Sequence, residues 1–257
     1  MSKFQGWNGL YLRKMNKIRV FGSYSLFFLL LIFISAGCNV CVHGEGDNAN
    51  EERLVSDFKA VHLKCSAEIV LMEHTPGEPM KVVVQAQPNL IPLITSQVKG
   101  ETLEIDIEGC ISNSNAITVQ VFGSGLTSVE NSGSGNISGS NKMSTDQFAI
   151  TLDGSGNIHL ELQTNEVEID QNGSGSIHVS GITNYIDIDN ASSGSCDALS
   201  LIANEAQVHL SGSGAVSVFA NKEMNLELRG SGSITYGGQP EKLNTQKDGS
   251  GEIHEAQ

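Results

Sequence analysis

Polar side chains recur at fixed positions in the second half of this chain, and two of them are histidines one repeat apart. His159 and His178 each follow the first apolar residue of a repeat, so an extended strand would place both on its outer face. A divalent metal could use such a pair, but the spacing supplies no closed set of four ligands. We therefore predict an outward polar slot and no metal site. In chain order this slot holds His159, His178, Asp197, Ser217, Thr235 and His254.

A second outward column is rich in carboxylates, the ligands that calcium prefers. Its predicted members are Thr151, Glu168, Asp187, His209 and Glu227, with Asp153, Asp170 and Asp189 beside them. The calcium-binding nonapeptide pattern is absent, because the aspartates precede the glycines instead of following them. We interpret the column as a solvated acidic face, with a cation-dependent structural module as the alternative.

Catalysis is not indicated by these columns. A repeat brings Ser, His and Asp together by coincidence, so no triad can be argued from their order. Polysaccharide-cleaving β-helices build grooves from long loops and use Arg or Lys to stabilise developing charge. The turns here are minimal, and residues 133–257 contain five basic side chains. We predict no catalytic residue and no cofactor.

The element that positions these side chains is a repeat that begins with Gly-Ser-Gly. Successive copies start 18 to 21 residues apart from Gly133 onward, with a shorter echo at Gly123. Each copy contains two short runs of alternating apolar and polar residues, as in Ile158–Leu162 and Val167–Ile169. A left-handed hexapeptide helix would repeat its apolar residues every six positions, whereas these two runs begin nine apart. The sequence therefore predicts an all-β fold: a parallel β-solenoid with two facing sheets and coils of about 19 residues, preceded by an N-terminal β-rich part of the same domain.

The glycines are predicted to turn the chain between the two sheets. A reversal in three residues requires backbone angles that residues with a Cβ atom reach only at a cost. Stacked coils should then align the central serines along one edge. The predicted turn glycines are Gly133, Gly135, Gly154, Gly156, Gly173, Gly175, Gly194, Gly212, Gly214, Gly230, Gly232, Gly249 and Gly251.

The N-terminus has the features of an export signal. Residues 1–37 combine a basic start, a short apolar run and small residues before Cys38. Ser35-Ala36-Gly37-Cys38 resembles the lipobox of bacterial lipoproteins, although Ser35 stands where Leu is usual, so Cys38 is the predicted lipidation site. An ordinary cleaved signal that leaves Cys38 as a spare thiol is the alternative, and Met15 is a second candidate start. Residues 38–54 are polar and acidic, which predicts a flexible tether before a domain at 55–257.

The net charge and the cysteines limit the kinds of partner and of compartment that fit this chain. Loss of the five basic residues of the signal leaves ten Lys and Arg against 29 Asp and Glu, a net charge of −19, which argues against nucleic acid. Cys65 and Cys110 could form a disulfide in an oxidising compartment, but spacing alone does not settle the pairing. Cys196 stands where other repeats carry Ile or Val, so we predict a buried thiol.

With these repeats in view, residues 55–257 resemble the autotransporter adhesin head GIN domain family. The resemblance covers the repeats, the opening Phe58-Lys59-Ala60-Val61 and the later Thr102-Leu103-Glu104-Ile105, while Ser192-Ser193-Gly194 departs from the pattern. It implies an exported β-helix of a type frequent in Bacteroidetes, often a lipoprotein, without catalytic residues and with a role in adhesion. The glycines above are the positions that map onto the family's turns.

The expected function is therefore a non-enzymatic, lipid-anchored protein of the cell envelope, in the outer membrane and facing the periplasm or the surface. It would contact a surface protein or a glycan and act in adhesion or as a scaffold. A carbohydrate-binding or polysaccharide-cleaving β-helix is the alternative. Association of copies through the open end of the solenoid stays an open question.

Overall fold

A computed structural model describes residues 41–72, 74 and 77–256. The compact unit begins at Cys41, and its described residues form strands, turns and one short 3₁₀ helix over Ile91–Leu93. In the described ranges no helix is long and apolar enough to cross a membrane. The predicted signal at 1–37 and the lipidation site Cys38 lie outside the described residues.

The described part of the chain contains twenty-two strands, most of them four to seven residues long. The strands are β1 Val42–His43, β2 Ala49–Leu54, β3 Ala60–Leu63, β4 Glu68–Met72, β5 Lys81–Ala86, β6 Ile94–Lys99, β7 Thr102–Ile107, β8 Ile111–Ser112, β9 Thr118–Phe122, β10 Ser128–Asn131, β11 Asn136–Gly139, β12 Met143–Ser144, β13 Gln147–Leu152, β14 Asn157–Gln163, β15 Glu166–Gln171, β16 Ser176–Ile182, β17 Tyr185–Asn190, β18 Ser195–Leu210, β19 Ala215–Leu228, β20 Ser233–Gly237, β21 Lys242–Lys247 and β22 Glu252–Glu255.

The strands form two parallel stacks that the chain visits alternately. The first stack runs β7, β3, β10, β13, β15, β17, then the second halves of β18 and β19, then β21. The second stack runs β9, β4, β11, β14, β16, then the first halves of β18 and β19, then β20 and β22. From β10 onward, one strand from each stack makes one coil, which gives a β-solenoid of about seven turns. The predicted fold class is confirmed.

The interior of the solenoid consists of in-register columns of apolar side chains. One column places Ile158, Ile177, Cys196, Val216 and Ile234 on consecutive coils, and each is at most 1% exposed. Because equivalent residues stack about 4.8 Å apart, each coil covers the apolar face of the next. Burial raises the pKa of the Cys196 thiol to about 12, so the predicted buried thiol is confirmed.

The N-terminal end departs from simple winding. The coil made by β7 and β9 lies outside the earlier coil made by β3 and β4, so residues 123–127 must cross that coil to reach β10. The echo at Gly123 therefore belongs to a connection from the second stack to the first, on the edge opposite the other Gly-Ser-Gly corners. Antiparallel strands β2 and β5 extend the second stack, and β6 extends the first in the same way.

The predicted tether at 38–54 is wrong from Cys41 onward. β2 pairs with β5 over six residues, and Arg53 donates to the carbonyl of Ile91 at 2.9 Å. A disulfide joins Cys41 to Cys110, with Cα atoms 4.5 Å apart, and leaves Cys65 as a thiol. Composition suggested a flexible segment, but long-range backbone pairing and a covalent bond hold it on the fold.

Candidate binding surface

The Gly-Ser-Gly corners owe their composition to close stacking of the backbone. A Cβ atom on Gly156 would lie 1.7 Å from the carbonyl oxygen of Gly135 in the preceding coil, and one on Gly154 would lie 1.8 Å from that of Gly133. Of the thirteen predicted turn glycines, all at corners between the stacks, Gly249 alone has a positive φ, at 146°. The predicted reason, unusual backbone angles, is therefore wrong for the other twelve. Glycine is required because neighbouring corners touch through their main chains.

Buried amides hold three of these corners from inside, a feature that the sequence analysis missed. Asn131 donates to the carbonyl of Gly135 at 2.8 Å, and Gln171 does the same to Gly175 at 2.8 Å. Asn190 donates to Gln171 at 3.0 Å, which joins two coils. All three side chains are fully buried. The available signal was their position, since each takes the place of a leucine in the same inward column.

The irregular corner at Ser192 is explained by the same network. The backbone N–H and the hydroxyl of Ser192 both donate to the Asn190 side chain at 2.9 Å. The Ser192 oxygen in turn accepts from the N–H of Gly194 at 3.0 Å. The Ser192 hydroxyl thus links the Asn190 side chain to the N–H of Gly194 within this corner.

The central serines of the corners form one exposed row, which we call the serine edge. It consists of Ser134, Ser155, Ser174, Ser193, Ser213, Ser231 and Ser250. Two shallow grooves follow this edge. One, of about 940 Å³, lies beneath the overhanging residues 109–111, and the other, of about 470 Å³, runs along the last four corners.

The opposite edge adds side-chain hydrogen bonds to the backbone bonds between its coils. Thr164 donates to the carbonyl of Asp146 at 2.8 Å, and Thr183 donates to that of Tyr185 at 3.0 Å. Outside them, Asn184 donates to Asn165 at 2.7 Å and Asn204 donates to Asn184 at 2.9 Å. We call this the threonine edge, after Thr164 and Thr183.

Two isoleucines project from the threonine edge into solvent. Ile182 and Ile202 are register partners on adjacent coils and are 60% and 49% exposed. The half-buried Phe219 follows Ile202 in the same column. The register of β18 shifts beside Ile202, where the coil is one residue longer than its predecessor. This patch was not predicted from the sequence, because alternation alone does not show which apolar side chains are exposed to solvent at a corner.

The histidine slot lies on the outer face of the second stack, as predicted. The rings of His159 and His178 stack with centroids 4.6 Å apart, and His178 contacts Asp197 at 3.2 Å. Within the described part of the chain, no group of three His, Cys, Asp or Glu side chains is arranged to hold a metal ion.

The predicted acidic column is two columns. Thr151, Asp170, Asp189, His209 and Glu227 share one register, whereas Glu168 and Asp187 belong to a neighbouring column. The repeat length gives this register, since Thr151, Asp170 and Asp189 follow one another at intervals of 19 residues, and Glu168 stands two residues before Asp170. Burial, followed by repulsion from nearby carboxylates, raises the pKa of Asp170, and burial raises that of Asp187 as well.

One cluster resembles a catalytic triad in composition only. Nε2 of His62 lies 2.7 Å from the Ser132 hydroxyl and 3.1 Å from the Glu130 carboxylate. A triad needs the acid on the other ring nitrogen, so that the imidazole is oriented and can take the serine proton. Burial lowers the pKa of His62. This geometry holds the side chains together without activating the serine.

A family model described as "Putative auto-transporter adhesin, head GIN domain" matches residues 57–240. The chain belongs to this family. The resemblance drawn from the repeats is confirmed, and the family name indicates an exported adhesin that binds surface partners.

Solved structures share the fold. A "putative adhesin" of Bacteroides fragilis aligns with a TM-score of 0.76 and 21% identity, over 84% of this chain and 100% of that one. A "putative lipid binding protein" of Parabacteroides distasonis gives 0.68 and 22%, over 84% and 99%. A "putative adhesin" of Parabacteroides merdae gives 0.66 and 20%, with the same coverage. The search of curated proteins gives no match.

Proposed function

We propose that this protein is a non-enzymatic, lipid-anchored adhesin of the cell envelope that contacts a surface protein through its threonine edge. The observation that carries the proposal is the exposed pair Ile182 and Ile202 on adjacent coils. Exposed apolar side chains that adjoin one another mark interaction sites more often than isolated ones do. The adhesin family supports the same class of function.

The charge of the domain favours a partner that avoids the outer faces of the sheets. Carboxylates crowd the first stack, where burial and then repulsion from Asp189 and Asp153 raise the pKa of Asp170. The threonine edge instead presents the neutral side chains of Asn165, Asn184 and Asn204 beside the isoleucines. A partner that docks over Ile182 and Ile202 buries apolar surface and removes fewer carboxylates from water than one on the outer face of the first stack.

The anchor in this proposal is an acylated Cys38 after removal of residues 1–37, in the outer membrane. Several acyl chains on one residue would hold the protein firmly. Since the fold begins at Cys41, a tether would be confined to the few residues around Cys38. The disulfide between Cys41 and Cys110 supports an oxidising compartment.

A deletion strain complemented with the wild-type gene or with Cys38→Ser tests this proposal. We expect deletion to reduce attachment or aggregation, the wild-type gene to restore it, and Cys38→Ser to release the protein from the membrane. Unchanged attachment, aggregation and envelope integrity after deletion would refute the adhesive role. Protease shaving of intact cells locates the domain, since protection would confine it to the periplasm and exclude direct contact with a host.

Glycan binding is a second candidate, favoured by the groove of about 940 Å³ along the serine edge. Its floor carries hydroxyl and amide groups from successive coils, including Ser134, Ser155 and Asn172. Such groups can hydrogen-bond a neutral sugar chain. Binding of the purified domain to a panel of polysaccharides, with product release measured in parallel, separates recognition from cleavage and both from protein adhesion.

A further inference from the structure

Three cysteines meet near the start of the serine edge, although only two of them are bonded. Cys65 and Cys110 line the same groove, and Cys110 is exposed. Cys65 is half-buried and carries a free thiol. The strands that precede them are neighbours, with Leu63 opposite Ile105; Cys65 follows Leu63 by two residues, and Cys110 follows Ile105 by five.

The segment that carries Cys110 is only lightly held. β8, directly after Cys110, pairs with β1 alone in a two-stranded sheet of two residues per strand. Gly109, directly before Cys110, has φ 84° and no atom within 4 Å of its Cβ position. The contacts that keep Cys110 in place are therefore largely those made to the Cys41 segment.

We propose that Cys65 is a second bonding partner for Cys110, so that the protein exists as two disulfide isomers. The Cys65 thiolate attacks the Cys110 sulfur, a Cys65–Cys110 bond forms, and the Cys41–Cys110 bond breaks. Cys41 leaves as a thiolate and takes up the proton that Cys65 gave up. The exchange consumes no oxidant and no reductant, because one disulfide replaces another.

The exchange should be slow at neutral pH. Burial raises the pKa of the Cys65 thiol, which keeps the reactive thiolate scarce. The rate should therefore rise with pH until the thiolate predominates.

The consequence depends on the proposed anchor at Cys38. In the Cys41–Cys110 isomer the fold begins three residues after Cys38. In the other isomer, residues 41–48 are held only by hydrogen bonds, such as Gln87 to the carbonyl of Gly46 at 2.9 Å and Asn89 to that of His43 at 2.7 Å. Release of those eight residues would lengthen the tether between Cys38 and the folded domain by about 27 Å. The isomers would thus hold the domain at two heights above the membrane.

Disulfide mapping of the full mature chain tests the proposal, with free thiols blocked before digestion. We expect wild-type protein to show Cys41–Cys110 at pH 7 and a growing share of Cys65–Cys110 on incubation at pH 9. Cys41→Ser should form Cys65–Cys110 under mild oxidation and lose both thiol labels. Cys65→Ser is the matched control and should keep Cys41–Cys110 at either pH.

Labelled Cys65 and Cys110 in oxidised Cys41→Ser would overturn the proposal. If that variant does not fold, the wild-type incubation decides, and an unchanged Cys41–Cys110 bond at pH 9 refutes the exchange. None of these outcomes depends on lipidation or adhesion, so the mapping and the attachment assays can fail independently.

Discussion

The two edges of the solenoid turn the same chain by different physical means. At the serine edge, backbones of successive coils touch and leave no space for a side chain at Gly154 or Gly156. At the threonine edge, side-chain hydrogen bonds such as those of Thr183 and Asn184 add to the backbone bonds between coils. A close main-chain contact occurs there as well, at Gly238, but it does not recur in every coil as it does at the serine edge. The serine edge is therefore set mainly by excluded volume, and the threonine edge relies more on replaceable polar contacts.

This difference indicates where the molecule can vary. The threonine edge accommodates the longer coil of β18 and exposes Ile182 and Ile202. It also accommodates residues 140–142 between β11 and β12, where the first full coil is longer than the next. An edge that tolerates insertions can change its surface without disturbing the stack. The Gly-Ser-Gly motif is therefore scaffold, and the proposed recognition surface lies on the opposite edge.

Gly156→Ala should produce the largest effect. Its Cβ atom would lie 1.7 Å from a main-chain oxygen, which cannot move without displacing the preceding corner. We expect a loss of about 4 kcal/mol in the free energy of unfolding, measured by urea denaturation. Ser155→Ala, at the adjacent exposed position, is the control and should cost less than about 0.5 kcal/mol. Equal effects at the two positions would contradict the excluded-volume account.

Thr183→Val should cost less, since it removes a hydrogen bond and keeps the shape of the side chain. Thr183 is 3% exposed, and its hydroxyl donates to the carbonyl of Tyr185 at 3.0 Å. We expect a loss of about 2 kcal/mol in the same assay, because a buried carbonyl loses its partner. A cost as large as that of Gly156→Ala would mean that the threonine edge is no more adaptable than the serine edge.

Asp170→Asn should stabilise the protein slightly at neutral pH. Burial and neighbouring carboxylates raise the folded-state pKa of Asp170 above its unfolded value. The carboxyl therefore favours the folded state fully below the unfolded pKa of about 3.9, and this contribution is lost as the pH rises through the folded pKa. We expect a gain of about 0.5 kcal/mol at pH 7, after discounting for solvent screening, and none at pH 3.

The pH dependence can be followed through thermal unfolding of Asp170→Asn and wild type in parallel. Asp248→Asn, on an exposed corner, is the matched control. A gain that persists at pH 3 would show that the effect comes from packing and not from charge. High salt should reduce the gain at pH 7.

Ile182→Ser should have the smallest effect on stability. The side chain is 60% exposed, so its removal sacrifices little buried surface. We expect a change below about 0.5 kcal/mol in the free energy of unfolding. A loss of several kcal/mol would show that Ile182 serves the fold and is not available to a partner.

The coil architecture could be predicted because it depends on short periods in the sequence. Alternation places Ile158 and Leu160 inside, and the recurrence of Gly-Ser-Gly sets the coil length. The Cys41–Cys110 bond and the displaced coil of β7 and β9 could not be predicted, since both depend on contacts between distant segments. The role of the glycines was misassigned for the same reason, because the clash at Gly156 involves the preceding coil.

The candidate site was the least predictable part. The serine edge follows directly from the repeat, but the exposure of Ile182 and Ile202 depends on how each coil passes the corner. A bulge beside Ile202 shifts the register, and no local sequence pattern predicts this bulge.

The most direct measurement compares attachment of cells that carry matched double variants on the two edges. Ile182→Lys with Ile202→Lys alters the threonine edge, and Ser155→Lys with Ser174→Lys adds the same charge to the serine edge. Surface amount and thermal stability are measured for both. The account predicts that the isoleucine variant loses attachment while the serine variant keeps it. Loss of attachment in the serine variant alone would contradict it and place recognition on the Gly-Ser-Gly corners.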